Sequence, residues 1–420
     1  MPRILISAFS CGPNHGSEPG VGWNTVIELA KEPTNELWVI VEPSWEEKIN
    51  AHLVQHPLPN VHFLFLGNRS LSKLMCTTLT QSVSWNSYYY MWQFVHVPEL
   101  RRLHEQVRFD LAQHVTYVKL SVPSMLGFLG LPFIWGPVGG AETAPACFFT
   151  ETGWKNRLYE FLRGTMLALT VWNPFVRLTA RRSTLAYGVT RESADALRAC
   201  GATNVLTRPA VALSDEELAA LTVRTAPTDL TRAPRLLYVG NLIPLKGVHL
   251  ALRALAASGC AEITLRIIGD GASRGWLEQI ARENGLTARV EFLGKQPREE
   301  VLRAYADSDG FLFASLHDSG GYAVLEAMAA GLPVICLDFG GPGFLVDDTC
   351  GWKVAAKTPE EAVSGLAEAI RAFAQDPAQR EKRARAARKR VLENFTWKQQ
   401  GQVLRDAVKL VHRACAPVSK

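Results

Sequence analysis

Asp318 and Glu326 are two carboxylates with seven residues between them, in the run His317-Asp318-Ser319-Gly320-Gly321-Tyr322-Ala323-Val324-Leu325-Glu326. The apolar run Gly310-Phe311-Leu312-Phe313-Ala314 before them reads as a buried parallel strand. Ser319-Gly320-Gly321 lets the backbone turn tightly and approach a ligand closely. Tyr322 to Ala330 is made of good helix formers, and Gly331 and Pro333 end it. A strand that feeds a glycine loop and then a helix N-terminus aims free N–H groups and a positive dipole end above the sheet, where a phosphate fits. Two acids beside such a site suit a ligand with hydroxyls next to its phosphates, such as a nucleotide sugar. The bland alternative is a surface acid plus a helix acid that complements the dipole. The upstream strand, the glycine pair and the Gly-x-Pro stop favour the ligand site.

Four other stretches carry candidate chemistry. Tyr238-Val239-Gly240-Asn241-Leu242-Ile243-Pro244-Leu245-Lys246-Gly247 follows a strand, with Gly240 and Asn241 at its carboxyl end. Lys246 is expected to open the next helix, where an ammonium can neutralise a departing diphosphate. Ile267-Ile268-Gly269-Asp270-Gly271 is a tight turn that could border a nucleotide base through Gly269. Near the N-terminus, Ser10 to Trp23 forms a loop of four glycines and two prolines whose backbone, at Gly16, can approach a phosphate. Glu18 and Trp23 are there to meet an acceptor. It lacks both the Walker lysine and the Gly-x-Gly-x-x-Gly spacing, so neither a P-loop nor a nicotinamide site is expected. His114 ends the apolar run from Phe109. It reads equally as a structural histidine and as a substrate contact at a strand's carboxyl end.

The elements that must position these residues alternate between strand and helix. Strands are expected at 4–9, 37–41, 61–66, 109–114, 132–135 and 185–189, with a short one at 204–207. A second series runs 235–239, 264–268, 290–293, 311–313, 334–337 and 352–354. This α/β alternation predicts two Rossmann-like, doubly wound parallel-sheet domains, and 420 residues call for two cores. Residues 1–212 are assigned to the first domain with a terminal helix at 398–420, and 213–397 to the second. A boundary loop is expected from Leu221 to Pro234. The eight scattered cysteines, Cys76 among them, form no CxxC pair, which points away from zinc or a disulfide framework and toward a reducing cytoplasm. The chain starts directly on a strand, so no signal peptide is expected, and no apolar run is long enough to span a membrane. A net charge of +5 is compatible with an anionic substrate. Asp307-Ser308-Asp309 lies at a strand's amino end and is read as a turn; no metal site and no cofactor is expected. Residues 154–182 interleave apolar and basic side chains, either as a hairpin packed on the sheet or as a surface lying on anionic lipid. The run from Arg380 to Arg390 reads as a solvated helix face without a nucleic-acid footprint.

Together these motifs resemble glycosyltransferase family 4, the retaining glycosyltransferases of the GT-B fold. The resemblance implies an interdomain cleft and a nucleotide-diphosphate sugar donor held by the second domain. It implies a saccharide or lipid-linked acceptor on the first, and a final helix, after Asn394-Phe395-Thr396-Trp397, that crosses back to the first. By it, Glu326 matches the second acid of the family's E-x7-E motif and binds ribose hydroxyls, and Asp318 matches the first, on the donor sugar. Ser319, Gly320, Gly321 and Tyr322 offer amides to sugar and phosphate, Lys246 and Gly16 lie at the diphosphate, and His114 lies near the transferred sugar. The chain departs from the pattern in three places: Asp318 stands for a glutamate, Gly320 for an aromatic, and Asn241 for an arginine. The implied activity is hexosyl transfer with retention in glycoconjugate or polysaccharide assembly, in the cytoplasm, with peripheral contact at the inner face of the plasma membrane. A nucleotide-sugar epimerase of GT-B architecture and a non-catalytic nucleotide-sugar-binding subunit are the alternatives.

Overall fold

The computed structural model describes residues 2–67, 81–221 and 233–415. Cys76 and most of the expected boundary loop, 222–232, lie outside the described residues. The chain forms two compact units. One comprises Met1–Ala141, Met166–Ala210 and Gln400–Lys420, the other Glu142–Thr165 and Val211–Gln399.

The first unit is built on a seven-stranded sheet. Its strands are β1 (Arg3–Ser7), β2 (Glu36–Val41), β3 (Val61–Phe65), β4 (Leu111–His114), β5 (Phe133–Val138), β6 (Leu185–Gly188) and β7 (Val205–Thr207). All neighbours pair parallel, in the order β3-β2-β1-β4-β5-β6-β7. Ile4, Leu5 and Ile6 of β1 are fully buried, as a central strand covered on both faces requires. Strand order reverses between β1 and β4, where Ser7 pairs with His114. The loops that follow these two strands therefore border the crevice at the switch point. The terminal helix Trp397–Cys415 contributes its residues from Gln400 onward to this unit. Arg405 donates to the Glu28 carboxylate at 2.9 Å there, and Lys409 pairs with Glu32 at 2.8 Å.

The second unit repeats the plan with six parallel strands: β8 (Arg235–Val239), β9 (Thr264–Ile268), β10 (Val290–Gly294), β11 (Gly310–Phe313), β12 (Val334–Leu337) and β13 (Gly351–Val354). Their order, β10-β9-β8-β11-β12-β13, again reverses once, between β8 and β11. Leu236, Leu237, Phe311, Leu312 and Ile335 have no exposed surface, and each such side chain contributes about 2 kcal/mol through burial.

Two expectations are corrected here. Residues 142–165 belong to the second unit, not the first. Phe148 and Phe149 enter its core, and Glu151 pairs with Arg253 at 2.5 Å. The arginine run from 380 to 390, in helix Pro377–Asn394, is not a plain solvated face. Arg380 is 3% exposed and donates to Phe373 O at 2.8 Å, Arg388 donates to Ala329 O, and Arg390 donates to Leu345 O at 2.7 Å. These carbonyls lie in the last turns of three helices, where a guanidinium meets both an orphan acceptor and the negative dipole end. Asp309 lies in the turn just before β11, as read from the sequence, and its carboxylate accepts from Arg235 N at 2.7 Å.

Candidate functional site

The loops after β8, β9 and β11 converge at the switch point of the second unit, and backbone hydrogen bonds lace them together. Leu316 N donates to Leu245 O at 2.9 Å, Leu242 N to Asp270 O at 2.9 Å, and Ser273 N to Leu242 O at 2.9 Å. Lys246 does not open a helix as expected. It closes the short 3-10 turn Pro244–Lys246, and the helix Val248–Ala257 starts one residue later. Gly247 makes that break, with φ +62°, and a Cβ there would sit 1.8 Å from Ala314 O, so glycine alone is accommodated.

This turn points Lys246 at the acid of the next loop. Its Nζ lies 2.5 Å from Asp318 Oδ2 and 5.8 Å from the centre of the Phe313 ring. The other Asp318 oxygen, Oδ1, accepts from the backbone N–H of Gly320 (3.1 Å) and Gly321 (2.7 Å). Asp318 thus fixes the loop and the lysine at once. The amides expected to hold sugar and phosphate are, in this structure, donated to Asp318. Gly321, at φ +64°, precedes the helix Tyr322–Ala329, and Tyr322 donates its hydroxyl to the Glu217 carboxylate.

Glu326 stands on the buried face of that helix, 4% exposed. Tyr305 donates to its Oε2 at 3.0 Å, and Arg298 forms an ion pair with Oε1. Burial raises the Glu326 pKa, opposed by the Arg298 guanidinium and the Tyr305 hydroxyl. The Tyr305 phenol is pushed up by burial and by the Glu326 charge, so it remains a donor. Ser319 Oγ donates to Glu142 Oε2 at 2.8 Å; Glu142, 1% exposed, also lies 3.7 Å from His317 Nε2. Arg163 donates to Glu142 O at 2.8 Å. The His317 pKa is lowered by burial and by the Arg163 charge, with Glu142 opposing.

The structure brings Lys246, Asp318, Ser319, Gly320 and Gly321 together at one strand crossing. Gly240 and Gly269 lie in the neighbouring loops; a Cβ on Gly269 would fall 1.9 Å from Gly240 O, so these two backbones touch. Asn241 is exposed, and its carbonyl accepts from Tyr238 OH at 3.1 Å. Arg298, Tyr305, Glu217, Glu142 and Arg163 were not singled out from the sequence. Each is an ordinary residue of a helix or loop until folding sets it beside the motif.

In the first unit, Gly16 caps the helix Ser17–Ala30 with open space around its Cα, and Glu18 accepts from Tyr117 N. Trp23 is 6% exposed and stacks on Phe63 at 6.0 Å, so the ring expected to meet an acceptor is part of the packing. His114 has no exposed surface. Its Nε2 lies 2.5 Å from Tyr89 OH and 3.1 Å from Thr116 O, and its Nδ1 has no partner. Burial lowers its pKa from 6.5 to about 4, so the ring is neutral near pH 7.

Residues 226–390 match the family model for glycosyl transferases group 1. Over 176 residues the chain is 36% identical to the glycogen synthase of Mycobacterium tuberculosis (strain CDC 1551 / Oshkosh), covering 41% of this chain and 40% of that protein. The chain matches well under half the length of such curated relatives. Two solved structures are similar over the whole length. Sucrose-phosphate synthase from Thermosynechococcus elongatus gives a TM-score of 0.64 at 17% identity, covering 99% of this chain and 100% of that one. Anabaena Alr3699/HepE in complex with UDP gives 0.60 at 19% identity, covering 98% and 100%. Residues 226–390 thus carry the signature of the glycosyl transferases group 1, on a GT-B fold shared along the whole chain with these two structures.

Proposed function

We propose that the protein transfers a hexosyl group, with retention of configuration, from a nucleoside-diphosphate sugar to a saccharide, glycolipid or polysaccharide-precursor acceptor. The observation that carries this reading is the Lys246–Asp318 pair beside the glycine loop at the β8/β11 crossing. A diphosphate entering there competes with Asp318 for the ammonium. As the glycosyl bond breaks with oxocarbenium character, charge grows on the departing oxygen, and Lys246 stabilises it more than it stabilises the bound donor. Asp318, released from the lysine, is placed to accept a hydroxyl of the sugar. The ribose hydroxyls share Glu326 with Tyr305 and displace Arg298, whose side chain is half exposed. The acceptor hydroxyl attacks the face that the diphosphate leaves from and passes its proton to it. UDP, present in the HepE complex, is the first nucleotide to try. A purified Glu326→Ala protein should lose the thermal stabilisation that nucleoside diphosphate sugars give the parent, because a tight ligand raises apparent stability by mass action. An undiminished shift would remove Glu326 from the site.

We further infer a peripheral contact with anionic lipid, consistent with a lipid-linked acceptor and a place at the inner face of the plasma membrane. Among the described residues no helix is long and apolar enough to cross a membrane. The helix Trp154–Thr170, however, turns its apolar side outward. Trp154 and Phe161 are 70% and 69% exposed, with Leu158, Leu162 and Met166 beside them, while Glu160 and Arg163 face inward. Residues 154–182 hold six basic side chains against the single acid Glu160. Exposed apolar and aromatic side chains with basic neighbours are the signature of a surface that lies in a lipid interface. Flotation with phosphatidylserine vesicles should carry the parent at low salt and lose the Trp154→Ser/Phe161→Ser protein, with the melting temperature little changed. Equal flotation of both would end this reading.

A further inference from the structure

In the second unit Pro244 and Leu245 of the Lys246 turn help to line a cavity of about 620 Å³, together with Phe149, Tyr159, Glu160, Ser273 and Trp276 among others. We propose that this cavity is a second binding site, distinct from the donor loop, and that it takes a neutral saccharide.

Glu160 carries the argument. Its side chain is 9% exposed, and Oε2 pairs with Arg163 Nε at 3.0 Å. The second oxygen, Oε1, is buried without a hydrogen-bond partner. A buried carboxylate oxygen left unpaired carries a desolvation cost that a ligand hydroxyl recovers. The surrounding walls are mostly apolar and aromatic, and such walls with a few polar groups make a small-molecule site of ordinary size. Aromatic faces offer flat apolar surface for the C–H side of a sugar ring, while its hydroxyls reach the carboxylate and Ser273. Neutrality of the ligand follows from the charges. Glu160 is balanced by Arg163, and Glu151, also on the wall, is balanced by Arg253 at 2.5 Å. A cation or a phosphate would add uncompensated charge to this cavity. The site does not depend on the donor reading, since neither Lys246 nor Asp318 lines it.

Calorimetric titration of the full chain with maltotriose, cellotriose and mannotriose tests it. At least one should bind with a dissociation constant below about 1 mM. Glu160→Gln removes the charge that the ligand hydroxyl meets and should weaken that binding by about tenfold, the scale of one charge-assisted hydrogen bond. Tyr159→Ala, at an exposed position that leaves folding intact, should weaken it as well. Lys246→Ala should leave it unchanged, so a failed donor site and a failed saccharide site give different results. Absence of binding by all three sugars overturns the proposal. Equal affinity in the Glu160 and Tyr159 variants, loss of binding in Lys246→Ala, or capture of tetramethylammonium in preference to the sugars also overturns it.

Discussion

At the scale of single residues, the site is arranged so that every charge has a temporary partner. Lys246 holds Asp318, Asp318 holds the Gly320 and Gly321 amides, and Glu326 is shared by Tyr305 and Arg298. These pairings keep costly polar groups satisfied and can be exchanged for those of a donor. His114 behaves differently. The unfolded ring takes up a proton as pH falls through 6.5, whereas the folded ring does so only near 4. The unfolded state therefore binds more protons between these values. Stability that is present above pH 6.5 is lost as pH falls toward 4, by up to about 3 kcal/mol. Denaturant titrations at pH 7 and pH 4.5 should show this loss, and His114→Gln should shrink it. An equal loss in both proteins would mean that His114 is not the group responsible. The expectation that His114 touches substrate rested on its place at a strand's carboxyl end. Placement was legible in the sequence; the cover that Tyr89 lays over the ring was not, because it comes from a helix 25 residues away along the chain.

At the scale of elements, apolar runs located the strands, since a parallel strand buried on both faces is continuously hydrophobic. Their ends moved by up to three residues where register decided them, as in β5, which continues past 135 to Val138. One element was left open and another misread, because their side chains work against the usual pattern. The helix Trp154–Thr170 is apolar outward and polar inward, and periodicity shows a stripe without saying which way it faces. The arginine-rich helix looks solvated by composition, yet its guanidiniums tie down the ends of three other helices. Arg380→Met keeps the stem and deletes the buried donor. It should lower unfolding stability by about 2 kcal/mol, since a bond from a charged donor is lost and Phe373 O is left unmet. Chemical denaturation measures this, and a change under about 0.5 kcal/mol, the range of ordinary surface substitutions, would show that the clamp is idle.

At the scale of the whole molecule, each unit has one strand-order reversal, and the residues with the clearest chemical signature sit at the reversal of the second. The two-sheet plan and the glycine loop were legible because local pattern and motif agree there. The allotment of residues 142–165 to the second unit was not, because it follows from the burial of Phe148 and Phe149 in a core formed far along the chain. The central claim is that Lys246 stabilises a departing nucleoside diphosphate. Its most direct test is release of nucleoside diphosphate from a panel of nucleotide sugars by the purified full chain, with and without saccharide acceptors, beside the Lys246→Ala protein. The account predicts turnover of at least one donor, with kcat lower by about 10²–10³ in the variant, the loss expected for one oxyanion-type stabiliser. Equal rates in the two proteins, epimerised donor in place of released diphosphate, or donor binding without turnover would contradict it.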